Sequence, residues 1–228
     1  MRLVFDRLAP FFLAFAVLVP FLFVDRIDLM IMVNGFRTPF WDMFFVKSSA
    51  LGHTISVVFA LLLVLRFRFK WLAIFLLAFL IQVFMVVLLK KGIYHDELRP
   101  YLYFKYLDML NLISLVDGVK MRHVNTFPSG HTATIFFLVS FFAILARNKV
   151  ASWVLLMVGL LVGFSRIYLF QHWYVDVYFG MLFGAASSII AYLYIRSNPK
   201  KWHARQLQID YKIWIRHTQN AVRQLFNY

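Results

Sequence analysis

The chain has 228 residues, of which 62% are hydrophobic, 19% aromatic and only 15% charged, and its formal charge is +14. A mean hydropathy of +0.74 is more apolar surface than a soluble domain of this size can bury, so the composition places the chain in a membrane. Cysteine is absent, which excludes disulfides and thiolate metal sites.

A spanning helix needs about 20 mainly apolar residues, and long uncharged runs of that kind cover 8–24, 44–65, 71–89, 132–146, 151–170 and 175–195. The first follows Arg2 and Arg7 but has no small-x-small cleavage site behind it, so it is expected to remain as a span. The fourth is short unless Ser129, Gly130 and His131 open its helix. The expected fold is all-α: an integral membrane bundle of six transmembrane helices in one domain, 1–196, with no internal repeat. Segment 197–228 follows as a basic amphipathic tail, with Leu207, Tyr211, Trp214, Val222 and Leu225 at near-helical spacing. Between the third and fourth runs lies a long connection, 101–123, with an apolar middle from Leu107 to Val116; a rim lying at the membrane interface and a packed loop are both open for it. The glycine pairs Gly159/Gly163 and Gly180/Gly184 are expected to let helices pack inside the bundle, and no oligomer is predicted from them.

Lys and Arg gather on the cytoplasmic side of membrane proteins. Six spans put Arg2 and Arg7, Arg66, Arg68 and Lys70, Arg147 and Lys149, and the whole basic tail on one face. Both termini are therefore expected in the cytoplasm, where the charge suits anionic lipid headgroups rather than nucleic acid. The opposite face then receives three polar stretches: Lys91 with Arg99 and Pro100, then Pro128, Ser129, Gly130 and His131, then Ser165 and Arg166 followed by His172 and Asp176.

Together these stretches hold what phosphoryl transfer needs. Arginines offer forked donors to phosphate oxygens and a lysine offers a point charge, which suits Arg99, Arg166 and Lys91. Ser129 supplies a hydroxyl, Gly130 permits close approach to the backbone, and a helix starting there turns its free amides and positive dipole end toward an anion. His172 and Asp176 are four residues apart, so on a helix they share a face and the carboxylate holds one imidazole nitrogen. Taken singly, each stretch has an ordinary structural reading: a helix cap and turn for Ser129 to His131, interfacial anchors for Arg166, His172 and Asp176. Their joint occurrence on one face favours chemistry. Only Asp176 is acidic within the second and third stretches, and Asp96 and Glu97 stand apart beside Arg99, so no metal and no other cofactor is expected. His53, His95 and His123 are read as packing or solvated histidines.

The second and third stretches resemble the signature motifs of the type-2 phosphatidic acid phosphatase superfamily, which also includes vanadium haloperoxidases. The third matches at Ser165, Arg166, His172 and Asp176 with the family spacing. The first departs from pattern: the family places six residues between its lysine and Arg-Pro, a position held here by Gly92, while Lys91 leaves seven and Lys90 eight. Lys91 is assigned as the phosphate-binding lysine. The resemblance implies a metal-independent membrane lipid phosphatase in which His172 attacks phosphorus to give a phosphohistidine, Asp176 orients its ring, and His131 serves as acid and then base. It also implies inhibition by vanadate. The expected substrate is a lipid phosphomonoester or pyrophosphate: phosphatidylglycerol phosphate, phosphatidic acid, undecaprenyl pyrophosphate or a lipid A phosphate. The expected place is a bacterial inner membrane with the site facing the periplasm or exterior. A phosphotransferase with the same intermediate and a non-catalytic lipid-phosphate transporter are the alternatives.

Overall fold

A computed structural model of the protein describes residues 2–146 and 148–205; the basic tail beyond 205 lies outside the described residues. Among these, every regular element is helical. In chain order they are α1 (Arg2–Leu18), α2 (Arg26–Asn34), α3 (Pro39–Ser49), α4 (Thr54–Val64), α5 (Phe69–Val87), α6 (Pro100–Tyr106), α7 (Gly130–Leu145), α8 (Lys149–Tyr168) and α9 (Tyr174–Ser197). Their starts follow ordinary capping chemistry, in which a short polar side chain accepts from the free first-turn amides. Asp25 accepts from Ile27 and Asp28 at 2.7 and 3.1 Å, Thr38 from Trp41 with Pro39 at the first helical position, and Asn148 from Val150 at 2.9 Å.

Four segments are long and apolar enough to cross a bilayer: Val4–Phe23, Phe69–Ile93, Lys149–Tyr168 and Tyr174–Ser197. The run expected as the second span is broken: Pro39–Gly52 and Thr54–Val64 meet at 54°. Counted as one, they make a fifth span. The remaining run forms α7, which has only 16 residues. Among the described residues, four segments, or five with the bent pair, thus meet the length and composition of a span, and α7 is a shorter apolar helix that falls below that length. The physical reason is that α7 is the centre of the bundle. Phe136, Phe137 and Phe141 are fully buried on it, and it contacts α1, α4, α5, α8 and α9. A helix apolar on every side and enclosed by others is a core element, and its length is set by its neighbours rather than by lipid.

The tightest pairing is α7 with α9. A Cβ added to Gly184 would stand 2.3 Å from the Ala133 carbonyl oxygen and 2.7 Å from the Phe137 nitrogen, so the two backbones touch where Gly184 lies. The Gly180/Gly184 and Gly159/Gly163 pairs both face helices of this same chain. A second, smaller core closes the end of the bundle that carries the polar motifs. There Met30, Val33, Phe45, Phe104, Ile167, Phe170 and Trp173 pack together. The connection 101–123 belongs to it: Val116 is buried, and Asn34 exchanges two 2.8 Å bonds with the Ser114 backbone. Phe104 and Val116 anchor the connection in this core, while Leu107 and Leu112 of its apolar middle are exposed.

At the end of α5 the helix widens into a π-helical segment, Leu88–Ile93, closed by Tyr94 N donating to Leu89 O at 2.8 Å. Such a turn contains one residue more than an α turn and shifts the register of the residues beyond it. Replacing Gly184 by Ala forces a backbone clash that no rotamer relieves. It is expected to destabilise the protein by about 1–3 kcal/mol or more, while Gly92→Ala, whose Cβ would meet only the Leu88 side chain at 3.7 Å, should be nearly neutral; thermal unfolding in detergent compares the two.

Candidate active site

The motif residues converge where α7 begins, α8 ends and α9 begins. Arg166 lies in the last turn of α8, and its carbonyl accepts from the amides of both Gln171 and His172, at 3.0 and 3.2 Å. This folds the α8–α9 loop back on itself. Phe170 holds it there in the left-handed region at φ 58°, a conformation costly for a bulky residue, with its ring against Phe104. The result places His172 and Asp176, 2% and 1% exposed, side by side under Arg99.

His172 Nδ1 lies 3.2 Å from Asp176 Oδ2. The same carboxylate oxygen accepts from Trp173 N at 2.9 Å, the returning half of a capping box at the start of α9, and from the Thr126 hydroxyl. Thr126 is buried, its Oγ1 is also 3.3 Å from His172 Nδ1, and no motif contains it. On the other side of the ring, Arg99 Nη1 is 3.2 Å from His172 Nε2. A guanidinium only donates. Nε2 therefore accepts, and the proton of the neutral ring resides on Nδ1, facing Asp176. The ring has an unprotonated Nε2 directed at the cations.

Arg99 is held by backbone carbonyls: Nε donates to Val124 at 3.0 Å, Nη1 to Gln171 at 2.7 Å and Nη2 to Asn125 at 3.1 Å. Burial pulls its pKa down to about 10, with the charge of Arg122 the next cause, so it stays a cation at neutral pH. Burial, followed by the charges of Arg99, Lys90 and Arg166, holds the His172 pKa well below its ordinary 6.5. Asp176 pulls the other way, but a nitrogen that accepts from Arg99 does not carry a proton as well, and the neutral ring is the state consistent with the geometry.

Arg166 donates to the Ser49 hydroxyl at the end of α3 and to Gln171 Oε1 at 3.4 Å, while its Nε is buried without a partner among the described residues. Ser129 is fully buried and its hydroxyl caps α7, accepting from Thr132 N at 3.4 Å and Thr132 Oγ1 at 2.9 Å; it serves the helix start. A Cβ on Gly130 would meet no atom within 4 Å, so the space beside this residue is open. His131 is half-buried beside it, and its Nε2 lies 3.4 Å from Nε2 of His53.

For the lysine, the structure puts Lys90 half-buried within electrostatic reach of Arg99, Asp176 and Arg166, whereas Lys91 is exposed. Both lysines lie in the π turn, where the α-helical register is lost. His95 is exposed and pairs with Asp96 at 2.8 Å, and His123 stacks on Tyr101; neither joins the group. Arg122, unremarked in the sequence, is exposed on the segment that wraps Arg99. Two cavities flank the site. One of 260 Å³ is lined by Gly52, His53, Val57, Phe79, Gln82, Val83, Gly130 and His131. The other, of 430 Å³, lies behind Asp176 and Thr126 among Leu89, Phe127, Phe179 and Phe183.

A buried His–Asp pair among cations, at one end of an apolar helical bundle, is an arrangement of charge that suits an anionic group at a membrane protein's site. A model of the PAP2 superfamily matches residues 71–200, more than half of the chain, and the chain belongs to that superfamily. The crystal structure of Aquifex aeolicus LpxE is similar to it with a TM-score of 0.62 and 26% identity, over 74% of this chain and 95% of that one. The first transmembrane PAP2 type phosphatidylglycerolphosphate phosphatase from Bacillus subtilis shares the fold, with a TM-score of 0.56 and 17% identity over 86% and 99%. No curated protein sequence matches the chain significantly.

Thr126 is the testable addition to the motif residues. Thr126→Val keeps the shape and removes a hydrogen bond to a buried carboxylate, an interaction worth about 1.5–3 kcal/mol. Turnover of a phosphate ester is expected to fall about 10–150-fold with little change in KM, as steady-state kinetics would show.

Proposed function

We propose that the protein is an integral-membrane lipid phosphatase that works without metal through a phosphohistidine on His172. The observation that carries this reading is the pair of contacts on one ring: Asp176 at Nδ1 and Arg99 at Nε2. They leave Nε2 as a lone pair held among Arg99, Arg166 and Lys90, where the phosphorus of an anionic group would come to rest. As Nε2 attacks, the Arg99 donor now on it is free to turn to a phosphoryl oxygen, joined by the unpartnered Nε of Arg166 and the positive dipole end of α7. Asp176, through Nδ1–H, stabilises the positive ring of the intermediate.

His131 gives a proton to the departing alkoxide, and in the second half takes one from the water that attacks phosphorus, releasing phosphate and restoring Nε2. In-line displacement puts the leaving oxygen opposite His172, on the His131 side. The 260 Å³ cavity beside His131, walled by Val57, Phe79 and Val83, is where the apolar body of a lipid alcohol would lie. The substrate class is thus a lipid phosphomonoester or pyrophosphate: phosphatidylglycerol phosphate, phosphatidic acid, undecaprenyl pyrophosphate or a lipid A phosphate. The basic residues Arg66, Arg68, Lys70, Lys149 and Arg196 fall at helix ends away from the site. This supports cytoplasmic termini and a site facing the periplasm or exterior of a bacterial inner membrane.

Phosphate release from these four lipid classes, measured with purified protein in bilayers and excess chelator, tests the reading; strict dependence on a divalent metal would sink it. His172→Ala is expected to abolish turnover and any acid-labile phosphoenzyme. Because the folded-state pKa of His172 is depressed, the ring remains unprotonated as pH falls through 6.5. Phosphoenzyme formation should therefore show no loss of rate centred there, and a protonation step near 6.5 in rapid-quench data that vanished in no other variant would count against the neutral nucleophile. Lys90→Ala should cost about tenfold or more in kcat/KM, the loss of one charge-assisted contact, and Lys91→Ala much less.

A further inference from the structure

The residue beside the proposed acid–base lies in none of the three motifs. The second run breaks where α3 ends at Ser49, a single 3-10 turn covers Ala50–Gly52, and α4 restarts at Thr54. His53 occupies the corner. Its ring meets that of His131 edge to face, with centroids 4.5 Å apart and planes at 75°, and the two Nε2 atoms are 3.4 Å apart. The approach depends on the preceding glycine. A Cβ on Gly52 would stand 2.8 Å from His131 Cβ and 2.9 Å from its carbonyl oxygen, so any other residue would push the corner away from α7. Ser49 of the same corner accepts from Arg166.

Two imidazole nitrogens facing each other satisfy both rings only when one donates and the other accepts. With Nε2 of His131 turned to His53, Nδ1 is the nitrogen left for substrate, and it has no partner among the described residues. The charged groups around His131 are Arg166 from α8, His53 from the corner, Arg122 from the outer connection and Lys90 from the π turn, while the carboxylate of Asp176 on α9 is engaged with His172. A proton shuttle that turns His131 into an imidazolium adds charge to this crowd. One that exchanges its two neutral tautomers does not, and it leaves the charge on His53, an exposed residue at the cavity beside His131.

We propose that His53 is the positioning residue of the acid–base step: protonated, it donates Nε2–H to His131, and returns to that state at the end of each cycle. The inference rests on the phosphatase reading. In the first half-reaction a bond forms from Nε2 of His172 to phosphorus as the P–O bond to the lipid breaks, the alkoxide takes the proton on Nδ1 of His131, and Nε2 of His131 takes the proton from His53. This yields the alcohol, neutral His53 and the other His131 tautomer. In the second, water bonds to phosphorus and gives a proton to Nδ1, the N–P bond breaks, and the proton on Nε2 goes back to His53. Atoms and charge balance without a further reactant.

The test compares phosphoenzyme formation from two esters, one with an alkyl alcohol as leaving group and one with nitrophenol, which departs without a proton. His53→Gln is expected to slow the alkyl ester about tenfold or more and leave the nitrophenyl ester within about twofold. Added imidazole should restore the alkyl rate in His53→Ala. An equal loss with both esters, or no loss with either, overturns the assignment, and a thermal melt checks that each variant is folded. Failure of the phosphatase reading itself looks different: His172→Ala would then retain turnover whatever His53 does.

Discussion

The guanidinium of Arg99 imposes the condition on which the rest of the site depends. A cation that is 4% exposed needs acceptors, and an unpaired buried charge costs several kcal/mol. The chain satisfies it with main-chain carbonyls instead of a carboxylate. Segment 124–125 and Gln171 turn their oxygens inward around it, with Asn125 in the left-handed region at φ 60°. A salt bridge would have neutralised the charge. Carbonyls leave it whole for an incoming anion, and the leftover donor fixes which nitrogen of His172 has the proton. Positioning the cation and preparing the histidine are one arrangement.

That arrangement stands on a rigid base. The α7–α9 contact at Gly184 brings the N-terminus of one helix beside the N-terminus of the other, and Ser129 N donates to the Asp176 carbonyl at 3.0 Å. The start of α7 is thereby tied to the start of α9, where Asp176 sits. Helix dipoles of both point at the same place. The second core, with Phe104, Phe170 and Trp173, excludes water from behind His172 and strengthens every interaction around it.

Two departures from regular helix geometry occur at the site. The π turn of Leu88–Ile93 carries the half-buried Lys90, and the 54° corner between α3 and α4 delivers Ser49 to Arg166 and His53 to His131. Irregular backbone in a membrane bundle exposes polar groups that need partners. Here each irregularity carries polar side chains of the cluster, Lys90 in one and Ser49 and His53 in the other.

Membrane class, all-helical architecture, family and the grouping of Arg99, His131, Arg166, His172 and Asp176 are legible in the order of the residues, because apolar run length and motif spacing are local properties written into consecutive positions. The glycine pairs whose helices pack within the chain are legible there too. Which lysine faces inward depends on the fold, since a π turn changes register without changing composition, and so does the bend in the second run and the place of α7 as a short central helix. Thr126, His53 and Ser49 belong to the site through contacts spanning 50, 78 and 117 residues of sequence. Nothing in their own neighbourhoods distinguishes them from a cap, a packing histidine or a small polar residue; the fold brings their partners to them.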